Sequence, residues 1–241
     1  MLRKDQWDDF DGLIIDGVQT YEDNLYTHDL CITGSAMLME DLEADKVKIL
    51  GRAEVRGMVT CDDIIIEGDC ECGYTFVVDN AEVSGSLSVF RKIRAEFFAC
   101  YGHTSCRGAK IYELDVGGEF TCVGKLKSER VSVMGSFWVM GALHTQKLSI
   151  DSGQKSQADE IFSDSVVVKR SLLINEKEEN TDYLLDCVNM ECDKMNLSYC
   201  RIRTLSCIKG VIGPGCVIDE VICRKDVTIS PEATVGKVRY L

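Results

Sequence analysis

Residues 47–69, VKILGRAEVRGMVTCDDIIIEGD, alternate apolar and polar positions in short bursts punctuated by Gly51, Gly57 and Gly68. Val47 and Ile49 fall on one side of such a burst, as do Ile64 and Ile66. Period two marks a strand with one buried face. Stepping seventeen residues at a time from Gly34 reaches Gly51, Gly68, Gly85 and Gly102, and the series continues at Gly118, Gly135 and Gly153. Matching triplets precede these glycines: Leu30-Cys31-Ile32, Val47-Lys48-Ile49, Ile64-Ile65-Ile66, Leu114-Asp115-Val116, Val131-Ser132-Val133 and Leu148-Ser149-Ile150. A second glycine recurs six residues later, at Gly57, Gly108, Gly124 and Gly141.

A period of seventeen is too short for repeats built from helix pairs, which need roughly 33 residues or more. It has room for three short strands and three tight corners, with glycine placed at corners for its tolerance of positive φ. The predicted fold is therefore all-β: a parallel β-helix, or solenoid, whose successive coils pair through ladders about 4.8 Å apart. A meander of hairpins would need Asn-Gly or Asp-Gly turns at varying intervals and would not hold a fixed phase. The pattern puts Ile32, Ile49, Ile66, Val116, Val133 and Ile150 in a buried inward row and Lys48 on the solvent side.

Toward the C-terminus the period changes. CRIRTLSC (residues 200–207) returns as CVIDEVIC (216–223) sixteen residues later, and LDCVNMEC stands fifteen residues earlier. Ala233, Val235 and Val238 continue the same slots. Phase is lost between residues 154 and 183, where NEKEENTD (175–182) is a charged run of the kind that forms a solvated loop. The expected organisation is an N-terminal segment or cap over residues 1–20, seventeen-residue coils over 21–153, an irregular insertion or linker over 154–183, and coils of 15–17 residues over 184–241.

Composition narrows the function. With 27 Lys+Arg against 40 Asp+Glu the net charge is −13, which repels phosphate backbones and anionic lipid, so neither nucleic acid nor membrane is an expected partner. The opening MLRKDQWDDFDG has no apolar signal region, and no run approaches the ~18 apolar residues of a membrane span, so the expected compartment is the reducing cytoplasm. There the 13 cysteines stay thiols. Most fall in ladder slots, Cys200 with Cys216 and Cys192 with Cys207 and Cys223, where a compact, mildly apolar side chain buries well. No Cys-x-x-Cys pair stands at zinc-site spacing, and His28, His103 and His144 lie apart from any cysteine pair, so no metal is expected.

No nucleophile elbow, phosphate loop, dinucleotide fingerprint or metalloprotease helix is present. Asp62-Asp63, Asp41 and Asp45 read as corner acids bonded to their own backbone. Hexapeptide acyltransferases keep an eighteen-residue, sixfold-divided coil, and polysaccharide lyases are longer and carry clustered acids, so neither enzyme class fits. No cofactor is expected.

The succession of apolar-x-Ile-x-Gly, x-Val-x-Gly and corner in residues 47–69, with the tail IGPGCVIDEVICRKDVTISPEATVGKV, resembles the bactofilins, polymer-forming bacterial cytoskeletal proteins. The resemblance covers residues ~20–150 and, more loosely, 184–240. It implies a right-handed three-faced β-helix, cytoplasmic polymers formed without nucleotide, and roles in cell shape, motility or protein positioning. This chain departs from the compact family pattern in its length and in the break at 154–183.

The function expected on this reading is a non-enzymatic structural scaffold that assembles end to end with itself, or with another bactofilin-like protein. The alternative is a monomeric or dimeric β-helix module that recruits a protein partner. Trp7, Phe10, Leu13 and Ile14 at one end, and Val235, Val238 and Tyr240 at the other, are the candidate cap or assembly residues.

Overall fold

A computed structural model describes residues 12–171 and 183–241. Every described element is a β-strand. The chain divides into two compact units, the first taking in the described residues up to Leu114 with Gly118–Thr121, the second Asp115–Gly117 with Cys122–Leu241.

In the first unit long and short strands alternate: β1 (Leu13–Ile15), β2 (Val18–Tyr21), β3 (Leu25–Ile32), β4 (Ser35–Leu38), β5 (Leu42–Ile49), β6 (Arg52–Val55), β7 (Val59–Ile66), β8 (Asp69–Cys72) and β9 (Phe76–Val83), followed by β10 (Ser86–Cys100). Each pairs in parallel with its equivalent one coil on, so that Leu42 faces Val59 and Ile49 faces Ile66, seventeen residues apart. Residues 42, 44, 47, 49, 53 and 55 are buried, two for each of three faces. The long strand β5 serves two faces because it bends at Asp45-Lys46, where two consecutive residues point outward and the ladder skips Asp45.

Inward rows run from coil to coil. Ile15, Ile32, Ile49, Ile66, Val83 and Cys100 form one of them, all at most 1% exposed. Large residues sit beside small ones, as where Phe98 stacks on Ala81, and Phe98 meets Phe120 edge-on at 6.1 Å. Burying each Ile or Phe of such a row contributes roughly 1.5–3 kcal/mol.

The glycine corner has a different cause from the one the sequence suggests. Among the described glycines only Gly215 occupies the left-handed region, at φ 69°. At the corner after β5, the amides of Leu50 and Gly51 both donate to the Ile32 carbonyl, at 2.8 and 3.0 Å, and Glu67 and Gly68 repeat this on Ile49. That geometry draws the corner down onto the coil beneath. A Cβ on Gly51, Gly68, Gly85 or Gly102 would come closer than 3.0 Å to the carbonyl oxygen of the preceding glycine in the column. Glycine is required by space, not by φ.

The corner acids also act across coils. Asp41 accepts the Met58 amide at 2.7 Å, and Asn24 accepts the Asp41 amide at 3.1 Å, so each caps the next coil's backbone rather than its own.

In the second unit the strands lengthen until one serves a whole coil. After β11 (His103–Val116) and β12 (Glu119–Cys122), which span the division, come β13 (Leu126–Lys127), β14 (Arg130–Val133), β15 (Ser136–Ser152), β16 (Ser156–Arg170), β17 (Leu185–Leu197), β18 (Cys200–Ile212), β19 (Val217–Ile229) and β20 (Thr234–Tyr240). Within β17 the buried residues are 185, 187, 190, 192, 195 and 197, so only two residues turn each of its corners. Three two-residue corners give the fifteen-residue step from Leu185 to Cys200. Each corner that takes a third residue adds one, which is how coils of sixteen and seventeen arise. Val133, Ile150, Val168, Leu197 and Ile212 form an inward row, and Val116 is buried ahead of them, its carbonyl accepting from Met134 and Gly135.

The segment 154–183, expected to be irregular, is corrected over much of its length. Residues 156–170 are β16, laddered to β15 on one side and β17 on the other. Its inward residues include Ser156 and Ala158, and Ser156 accepts the Phe137 amide at 3.2 Å. Small and polar inward residues hide the period from a hydrophobic count. The charged run at 175–182 lies outside the described residues.

Candidate functional site

The second unit ends in a row unlike those before it. Strand β20 is laddered to β19 on one side, with Val235 opposite Ile218, Val238 opposite Val221 and Tyr240 opposite Cys223. The three β19 residues are buried, so their β20 partners occupy the inward slots of the next coil. Yet Val238 is 36% exposed and Tyr240 62%, and Leu241 and Ile229, at the ends of the chain and of β19, are also exposed. The cross-section of the apolar core thus reaches solvent here, together with the outer edge of a parallel strand.

Val235, Val238 and Tyr240 are therefore brought together on one edge. Leu13 and Ile14 belong to β1, which ladders to β3; Ile14 points outward opposite Cys31 and is exposed, while Ile15, which the sequence reading left out, fills the core slot. Trp7 and Phe10 lie outside the described residues. Leu241 and Ile229 were also missed: each is a single apolar residue whose exposure depends on which slots the next coil would cover.

The cysteines are all free and, apart from the half-buried Cys31, all buried. Cys192, Cys207 and Cys223 stack in one row, as their spacing predicts. Burial pushes the Cys187, Cys192 and Cys207 thiols up to about 12, and Cys61 and Cys70 are raised by the same cause. A thiol held protonated is a poor nucleophile and a poor metal ligand. An aromatic disulfide reagent is expected to titrate one thiol, Cys31, in the folded protein and all thirteen after denaturation. Rapid reaction of two or more in the native state would contradict the inward assignment.

Two of the histidines mark contrasting surfaces. His28 lies 2.8 Å from Asp45, and this hydrogen bond raises its pKa. His144 stacks on Phe162 at 4.7 Å, and its pKa is lowered by partial burial and then by Lys125 and Lys127. On the outward side of β17–β19 an open depression of about 310 Å³ is lined by Asp186, Val188, Arg201, Arg203 and Asp219 among others. Asp186 there is already held by Lys155 at 3.2 Å. Among the described residues no group of three or more His, Cys, Asp or Glu is placed to hold a metal ion.

No protein-family model, no curated protein and no solved structure matches this chain.

Proposed function

We propose that this protein is a non-enzymatic cytoplasmic scaffold that assembles with copies of itself by strand addition at the β20 edge, in the manner of the bactofilins it resembles in sequence. The observation that carries this reading is the inward row of Val235, Val238 and Tyr240, of which Val238 and Tyr240 are exposed, on a strand laddered to β19 on one side. An open parallel edge presents unpaired N–H and C=O groups that template another strand, and the apolar row supplies area to bury. Addition of one solenoid end to a different end does not close on itself, so the product is a filament rather than a ring.

Val238→Lys tests it. The side chain is already partly in water, so folding changes little, whereas in a joined interface the ammonium would be buried without a partner. Wild type is expected to form filaments visible by negative-stain electron microscopy, and the variant to raise the concentration needed for assembly roughly tenfold or more, equivalent to about 1.4 kcal/mol. Wild type that stays monomeric across protein and salt concentrations, or a variant that assembles as wild type does, would sink the proposal.

A further inference from the structure

Charge is unevenly distributed along the first unit. Residues 12–85 carry sixteen acids and four bases, while residues 86–112 carry one acid and five bases, in a chain of net charge −13. The five are Arg91, Lys92, Arg94, Arg107 and Lys110, all exposed. Among the described residues none of them is paired with a carboxylate. Two lie over aromatic rings of the preceding coil instead, Arg91 over Tyr74 and Arg107 over Phe90, each at 4.3 Å. The rings are themselves exposed, so each guanidinium is held outward on a corner of the solenoid.

A second corner of the same unit has the opposite character. At the bends of β5, β7, β9 and β10 stand Asp45, Asp62, Asp79 and Glu96, one per coil and all exposed. Asp45 is engaged by His28, whereas among the described residues Asp62, Asp79 and Glu96 are not paired with a base. Both corners belong to parallel ladders, so cations and carboxylates advance by the same rise of about 4.8 Å per coil.

We propose that the basic corner of one copy docks side by side on the acidic corner of a second copy. A partner with the same rise meets the patch rung for rung. A phosphate backbone has a different repeat, and its ends would run onto coils dominated by acids, which disfavours nucleic acid at this patch. The contact is lateral, goes beyond strand addition at β20, and uses residues of the first unit alone.

Two variants test it: a basic-reversed chain (Arg91→Glu, Lys92→Glu, Arg107→Glu) and an acid-reversed chain (Asp62→Lys, Asp79→Lys). Both carry Val238→Lys to weaken the β20 edge and are kept below the concentration at which the Val238→Lys chain forms filaments, and circular dichroism melts verify that each folds. Sedimentation velocity in 50 mM salt is expected to show association of the Val238→Lys parent, weakened at least tenfold in 500 mM salt. Each reversed chain alone should sediment as a monomer, and their equimolar mixture should associate again, although both remain net negative. A parent that does not associate, reversed chains that associate like the parent, or a mixture that stays monomeric would overturn the proposal. So would patch-dependent binding of a labelled single-stranded oligonucleotide with self-association unaffected. Because every sample stays below the concentration at which the weakened β20 edge assembles, these results do not bear on filament formation.

Discussion

Gly68→Ala is expected to destabilise the first unit by roughly 3 kcal/mol or more, at the upper end of what overpacking costs, even though only one methyl group is added. The added carbon would press on the Gly51 and Leu50 carbonyls of the coil beneath. Those atoms are backbone already fixed by the paired bonds of Glu67 and Gly68 to the Ile49 carbonyl, so no side chain can swing away. Relief requires the two coils to separate locally, which breaks the ladder between β6 and β8. Gly17 provides the control. It heads the same glycine column, since a Cβ on Gly34 would strike its carbonyl, yet among the described residues nothing lies within 4 Å of its own Cβ position. Gly17→Ala should change stability by less than about 1 kcal/mol, in the stabilising direction if at all, because alanine restricts the unfolded chain. Denaturant melts of both variants measure this. Similar behaviour at the two positions would mean that the corner needs glycine for conformational freedom and not for space.

Ile66→Asp should cost on the order of 4–5 kcal/mol or more, the range reached when an unpaired charge is placed in a core. Ile66 is 0% exposed between Ile49 and Val83 and has no polar side chain for a row partner. Solenoid coils are stabilised through their neighbours, so amide exchange should accelerate in β5 and β9 as well as in β7. Lys48→Asp is the matched control on an outward position. It removes an ion pair with Glu67 at 3.3 Å from a side chain that is 28% exposed, and should cost no more than about 1 kcal/mol. Equal tolerance at positions 48 and 66 would place the strand phase one residue out and undo the coil assignment.

The glycine series was legible because the three-residue corner of the first unit draws its middle residue down onto the coil beneath, where no Cβ fits. Where a corner takes only two residues, as at Val188-Asn189 and Asp193-Lys194 of β17, nothing descends onto the coil beneath and no glycine is needed. The ruler therefore fades as the coil shortens. Cysteine spacing carried the register through β17–β19 instead, because Cys192, Cys207 and Cys223 share one inward slot. In β16 neither signal was available, since Ser156, Ala158 and Ser163 stand where apolar residues or glycines would have marked the coil.

By itself the sequence determined the parallel solenoid, its coil length, the inward rows and the register of the C-terminal coils. These depend on period two and on a fixed advance per coil, both of which are properties of the chain as written. Only the tertiary structure decided why Gly68 must be glycine, that residues 156–170 form a coil, and that Val238 and Tyr240 are exposed while Val221 and Cys223 are buried. It also decided that Arg91 and Arg107 share one corner and Asp62 and Asp79 another. Each of these depends on what lies one coil above or below, at a distance that neither hydrophobicity nor spacing along the chain records.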